Sequence, residues 1–374
     1  MKLELIATAT FGLEAVVRRE LEDLGYKIVA REDGRITYVT NEAGLARSNL
    51  RLRTADRVLL KMGEFKANTF EDIFQGMCAI AWETLIPLDG NFVIGATSVK
   101  SQLSSVPACQ SVAEKGLITR LQETYGEQRF SKSGARYDVK LRLLKDVCTV
   151  TVDTSGAGLH KRGYRTGNVA APIKETLAAA LVQLSFWKAG RLLVDPFCGS
   201  GTIAIEAAMI GRNIAPGIGR KFAAEDWSFI KEDVWEAERK AAYEDVDHEM
   251  DIRICASDIS ESAIRAAKEN AAHAGVDDCI DFSRKSFAEF TAAEERGIIV
   301  CNPPYGERIG ELKEIEAIYK SLAAFYRENP TWSLFLITTD KDFERKAIGR
   351  PADRRRKLYN GRLETTFYQY HGIK

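Results

Sequence analysis

Two short strings in this 374-residue chain hold residue types and spacings that packing alone does not require. The first runs Asp-Pro-Phe-Cys-Gly-Ser-Gly-Thr from Asp195 to Thr202, after the apolar run 192–194 and before the helical run 203–209. Glycines at 199 and 201 let the backbone approach a ligand closely, and the helix start offers unpaired N–H groups to a negative group. Gly199-x-Gly201-x-x-Ala204 also fits the dinucleotide fingerprint. A nicotinamide site expects an acid about 20 residues further on, whereas the next strand-end acid, Asp258, comes about 60 residues after Asp195. That acid can still grip a ribose from its own strand end.

The second string, Asn302-Pro303-Pro304-Tyr305, ends the apolar run 298–301. Consecutive prolines fix φ and remove two backbone donors, so the carbonyls and the Asn amide are held in place. Hydrogen bonds from an exocyclic amine to the Asn302 side-chain oxygen and the Pro303 carbonyl favour the pyramidal nitrogen whose lone pair can attack. Tyr305 stacks on the attached base, a contact worth about 1–3 kcal/mol. A nicotinamide oxidoreductase would account for the glycine loop but leaves this second string without a purpose.

Both strings need a sheet edge. From residue 173 helices alternate with apolar runs at 192–195, 253–257, 280–283, 298–301 and 333–338, which predicts a doubly wound, parallel α/β sheet. Asn360-Gly361 between two apolar, aromatic runs predicts a closing antiparallel hairpin. Residues 211–250 read as an excursion inserted between the first helix and the second strand. The first half mixes short strands with amphipathic helices. It divides into an α/β plait at 1–55, with a hairpin at Asp33-Gly34, and a second α+β unit at 56–155, followed by a linker at 156–172. The remaining unit is 173–374.

Composition sets the class. There are 53 Lys+Arg and 53 Asp+Glu, with 45% hydrophobic residues, an ordinary globular balance. Neither a secretory start nor an apolar run of about 20 residues is expected, so the reading is a cytoplasmic protein with no membrane partner. The seven cysteines form no CxxC pair, so no metal site and no disulfide framework is expected. Residues 171–339 hold 19 basic and 28 acidic side chains, while 1–170 hold 24 and 20 and 340–374 hold 10 and 5. Positive charge therefore gathers at the two ends. Within 128–165 lie Arg129, Lys132, Arg136, Lys161, Arg162 and Arg165, with Tyr164 between the last two. That pattern suits a surface that tracks phosphates with one stacking ring, or a merely solvated face.

DPFCGSGT, Ser257-Asp258-Ile259 and Asn302–Arg308 together resemble the S-adenosylmethionine-dependent amino-methyltransferases with an Asn-Pro-Pro-Tyr motif. GLHKRGYR (158–165), APIKETLAAAL (171–181) and ATATFGLEAVVRREL (7–21) are similar to the THUMP-domain RNA methyltransferases. In particular they resemble the half of the large-subunit rRNA enzyme that methylates a guanine exocyclic amine. The resemblance implies an N-terminal ferredoxin-like unit, a THUMP unit that recognises RNA, and a class I methyltransferase domain. It also implies S-adenosylmethionine as cofactor, rRNA as partner, and Asn302, Pro303, Pro304 and Tyr305 as the catalytic crevice. Asp195 would hold the methionine amino group and Asp258 the ribose. Phe197, Cys198, Gly199, Gly201 and Thr202 would line the cofactor, with Ile259 and Phe287 beside the adenine and Pro172 closing the pocket. Where such proteins carry an acid for the adenine amine, this chain offers Ser286. Arg308, just past the crevice, would join the RNA contacts. A tRNA guanine or an adenine amine as target, and a module that binds RNA without modifying it, remain open at this point.

Overall fold

The computed structural model of the chain describes residues 1–165, 173–292, 294–305 and 312–373. In the first half the elements are β1 (Leu3–Thr8), α1 (Glu14–Asp23), β2 (Lys27–Glu32), β3 (Arg35–Thr40), α2 (Glu42–Arg51), β4 (Arg57–Lys66), α3 (Phe70–Ala79), β5 (Asn91–Val99), α4 (Val106–Tyr125), β6 (Arg136–Leu144) and β7 (Val147–Asp153). Local chemistry marks their ends. Gly34 turns the β2–β3 hairpin at φ +72°, and the Asn41 side chain accepts from Gly44 N–H to start α2. Thr69 and Asp72 form a capping box on α3, and Gly126, left-handed, stops α4.

These strands make one sheet in the order β2-β3-β1-β4-β7-β6-β5. β4 pairs with β1 on one side and with β7 on the other, both antiparallel. The predicted division near residue 55 therefore falls inside a continuous hydrogen-bonded sheet, over one apolar core that draws on both units.

The second half adds α5 (Glu175–Leu184), β8 (Leu193–Asp195), α6 (Thr202–Gly211), α7 (Glu232–Glu244), β9 (Ile254–Asp258), α8 (Glu261–Ala274), β10 (Ile280–Arg284), β11 (Ile298–Cys301), α9 (Leu312–Glu328), β12 (Ser333–Thr338), β13 (Arg354–Asn360) and β14 (Leu363–Tyr370). The sheet order is β10-β9-β8-β11-β12-β14-β13; the first five strands pair in parallel, and β14 runs antiparallel between β12 and β13. The chain steps outward from β8 to β10, then crosses back to β11 and onward. The order thus reverses between β8 and β11, and ligands of open α/β sheets bind at such switch points. α5, α6 and α8 bury Leu177, Ile205 and Ile264 on one face, while α9 buries Tyr319 and Leu322 on the other.

The excursion between α6 and β9 is a structural brace. Phe222, Trp227 and Trp235 are buried in the core of the first half. Trp227 stacks on Tyr137 with ring centroids 5.0 Å apart and donates its indole N–H to the Arg136 carbonyl. Along α7, Glu238 pairs with Arg47 of α2 at 2.6 Å. Trp227→Ala is expected to lower unfolding stability by about 3–5 kcal/mol, because an indole-sized cavity opens under the sheet. Urea denaturation checks it, and a loss below 1 kcal/mol would mean the brace carries no packing energy.

Candidate active site

β8 ends at Asp195, whose carboxyl is buried. Its Oδ1 accepts from Phe197 N–H, but its Oδ2 has no partner among the described residues. Burial pushes this carboxyl up to about 8, with the nearby Asp258 charge adding to the rise. The loop beyond it is closed by Cys198 N–H to the Ser257 carbonyl and Gly201 N–H to the Cys198 carbonyl. Gly199 and Gly201 adopt φ +51° and +83°, and a Cβ on Gly201 would lie 3.0 Å from the Ala267 Cβ of α8. Glycine is required there both for conformation and for close helix packing.

Asp258, at the end of β9, reaches across the loop and accepts from Gly199 N–H at 3.0 Å and Ser260 N–H at 2.9 Å. Beside it Ile259 is 69% exposed, an uncommon exposure for a large apolar side chain at a sheet edge. Phe197 meets Phe287 with centroids 5.9 Å apart, and Phe287 is buried. Ser286 is half-buried, and its hydroxyl accepts from Ala288 N–H at 3.4 Å, so it caps the turn after β10. Cys198 is buried, and Thr202 is buried with its hydroxyl accepting from Arg165 at 2.9 Å.

β11 pairs in parallel with β8, Ile299 opposite Val194, which carries Asn302–Tyr305 to the same edge as Asp195. Asp195 is close enough to Cys301 to push that buried thiol up further. Among the described residues Asn302 Oδ1 and the Tyr305 hydroxyl are both buried with no partner at hydrogen-bond distance, and the Asn360 side chain faces the hydroxyl. Leaving a buried acceptor unmatched costs about 1–3 kcal/mol, and such exceptions in a folded protein call for a reason. Here three of them, with Asp195 Oδ2, gather at the switch point. They can receive a cationic or amine donor on one side and an amine-bearing ring on the other.

Two of the expected RNA contacts are corrected. Arg162 and Tyr164 are buried, 6% and 4% exposed, and cannot track an external phosphate. Both bind Glu206 of α6, Arg162 through Nε and Nη2 at 3.3 Å and Tyr164 through its hydroxyl at 3.2 Å. Arg162 also donates to the Leu159 and Arg53 carbonyls, locking the first half onto the second. Arg165 is committed inward as well, to Glu175 at 3.2 Å and to Thr202. The described part of the expected linker is therefore an anchored strap. Glu206, which the sequence reading passed over, was signalled by its lone charge in the apolar helix Thr-Ile-Ala-Ile-Glu-Ala-Ala-Met.

The remaining basic residues have other settings. Arg129 and Lys161 are exposed, Arg136 is exposed and pairs with Asp138 at 2.8 Å, and Lys132 sits 4.1 Å over the Phe92 ring. Pro172 and Arg308 lie outside the described residues.

Comparison with known proteins agrees with this organisation. Residues 4–59 match the RlmL ferredoxin-like domain, 67–153 the THUMP domain, and 162–369 the RMKL-like methyltransferase domain. YpsC of Bacillus subtilis (strain 168), named as a candidate RNA methyltransferase, is 47% identical over 99% of this chain and 96% of its own length. The Ribosomal RNA large subunit methyltransferase K/L of Psychromonas ingrahamii is 32% identical over 96% of this chain, which spans 49% of that relative's length. The solved structure of SMU.472, named as a candidate methyltransferase and complexed with SAH, superposes with a TM-score of 0.94 at 40% identity, covering 100% of this chain and 99% of that one. No described helix is long and apolar enough to cross a membrane. A ferredoxin-like and THUMP half joined to a doubly wound sheet with this glycine loop thus places the chain in the RMKL-like family of S-adenosylmethionine-dependent methyltransferases.

Proposed function

We propose that this protein methylates the exocyclic amine of a guanine in RNA, with large-subunit rRNA as its substrate. The observation that carries the reading is the buried, unmatched Asn302 Oδ1 beside the strand that ends in the unmatched Asp195 Oδ2. The names of the K/L relatives support rRNA over other nucleic acids. In the proposed division, residues 1–55 and 56–155 dock the RNA through exposed cations such as Arg129 and Arg136, joined by Lys161 of the 156–172 linker, and 173–374 carry out the chemistry.

The residues at the switch point fit S-adenosylmethionine. Asp195 receives its ammonium, Asp258 its ribose hydroxyls, and Ile259 with the Phe197–Phe287 wall its adenine. When bound, the cofactor supplies a methyl group already activated by a sulfonium. The chain's task is then to seat the amine. Asn302 Oδ1 and the Pro303 carbonyl accept its two N–H groups, and Tyr305 stacks on the extruded base. Such positioning can supply about 7–11 kcal/mol of the barrier.

Single-turnover transfer of labelled methyl to unmodified large-subunit rRNA and to tRNA transcripts, followed by nucleoside mass spectrometry, tests this. Guanine labelled on its amine in the rRNA is expected. Label on adenine, on tRNA alone or on neither RNA would overturn the proposal. Asp258→Ala is expected to weaken S-adenosylmethionine binding ten- to hundredfold, about 1.5–3 kcal/mol, through loss of a charge-assisted hydrogen bond. Calorimetry measures it, and an unchanged affinity in a folded variant would put the ribose on another strand.

A further inference from the structure

β13, the edge strand of the second sheet, carries Arg354-Arg355-Arg356-Lys357. Alternation along a strand sorts these four onto two faces. Arg355 and Lys357 point to one side and are neutralised there, by Glu344 at 3.4 Å and by Glu364 at 2.6 Å. Arg354 and Arg356 share the other side with Leu358, which is buried against Leu13 and Val16 of the α1 region.

On that side charge is not balanced. Among the described residues, Arg354, Arg356 and Arg19 of α1 have no carboxylate within ion-pair distance and no side-chain hydrogen bond, and Arg356 Nε is buried without an acceptor. Burial, then the charges of Arg354 and Arg19, lower the Arg356 guanidinium below its usual range, so both neighbours act on it as repelling cations. The first half holds the cluster together. A Cβ on Gly12 would lie 2.6 Å from the Lys357 carbonyl, and the Phe11 and Tyr359 rings meet edge to face at 6.0 Å. Phe11 is 51% exposed.

β13 leads from this cluster to the crevice. Its last residue, Asn360, pairs with Leu363 at the hairpin, and its side chain faces the Tyr305 hydroxyl. Asn360 lies four positions beyond Arg356, about 13 Å of extended strand. That is a distance of a few nucleotides. An edge strand with basic residues also guards against sheet-to-sheet pairing, but that role needs only exposed charge and does not explain three unpaired arginines, two of them, Arg19 and Arg356, part-buried.

We propose that Arg19, Arg354 and Arg356 form a phosphate clamp for the RNA strand flanking the target base. The clamp rests on the RNA reading above and deepens it. Binding of an unmodified large-subunit rRNA transcript, measured by filter retention from about 50 to 200 mM salt, tests it in the full chain. Each phosphate contact contributes 0.7–0.9 to the log–log salt slope. Arg354→Gln/Arg356→Gln is expected to flatten the slope by between 1 and 2 and weaken binding at least tenfold at the low-salt end, with Arg19→Gln flattening it further. Affinity for S-adenosylmethionine and the melting temperature are expected to stay at wild-type values, which separates this from misfolding. An unchanged slope overturns the clamp, and so does an unchanged slope accompanied by self-association, which would assign the arginines to edge protection. The binding readout does not depend on turnover: wild-type protein that binds RNA through these arginines yet transfers no methyl would sink the proposed function and leave the clamp standing.

Discussion

Asn302→Ala is expected to slow single-turnover methyl transfer by two to three orders of magnitude while changing S-adenosylmethionine and RNA affinity by less than about threefold. Its Oδ1 is buried and unmatched, so the acceptor is already oriented and dehydrated before any substrate arrives. A preorganised polar group in such a site acts most strongly where charge develops, as the amine nitrogen becomes tetrahedral, and removing one typically costs 10²–10³ in rate. Because the interaction grows in the transition state, the loss falls on the rate and not on ground-state binding. Tyr305→Phe is expected to be mild, since the stacking face is kept, and Tyr305→Ala to lower both base binding and rate. A folded Asn302→Ala protein with near wild-type transfer would return Asn302–Tyr305 to the role of a rigid turn.

Asp195→Asn is expected to weaken S-adenosylmethionine binding at least a hundredfold at pH 8.5, since truncating one member of a buried charge pair costs about 2–5 kcal/mol. The same substitution has an opposite effect on the unliganded fold. The Asp195 carboxyl rises from 3.8 to about 8 on burial, so the folded chain holds this proton more tightly than the unfolded chain does. Its contribution to stability is complete below pH 4 and is lost as the pH climbs from about 4 to 8. Asp195→Asn removes that loss, and the variant is expected to be the more heat-stable form at pH 9, by an amount on the order of a few kcal/mol, with little of that advantage at pH 5. For the wild type, binding an ammonium expels the proton, and cofactor affinity is expected to fall as pH drops below about 8. Melting curves and calorimetry across pH 5–9 measure both effects. A difference in melting temperature that ignores pH would mean that Asp195 is ionised without its ligand.

Much of the candidate site's placement was legible because its signals are local. A glycine pair that needs left-handed φ, two prolines that stiffen a strand end, and an Asn-Gly hairpin act within a few residues of themselves, so Asp195–Thr202, Asn302–Tyr305 and the β13–β14 turn emerge from chain order alone. The alternation of strands and helices after residue 173 likewise required a parallel sheet, and a parallel sheet required a switch point.

What the one-dimensional pattern left open is where side chains and edges find their partners. Arg162 and Tyr164 looked like a basic, aromatic surface because charge was counted along the chain, whereas their partner, Glu206, lies 44 and 42 residues away on α6 and takes both inside. Only folding could decide that β4 pairs with β1 as well as β7 and merges two expected units into one sheet. Folding likewise sent the excursion's tryptophans into the core of the other half. A strand's periodicity specifies which face is apolar but not which edge it joins, and a charge's cost depends on what lies across space from it. The sequence by itself thus determined the methyltransferase family and the sheet edge on which the candidate site falls. The tertiary structure alone decided which arginines are spent inside the protein and which, among the described residues, stay unpaired along β13.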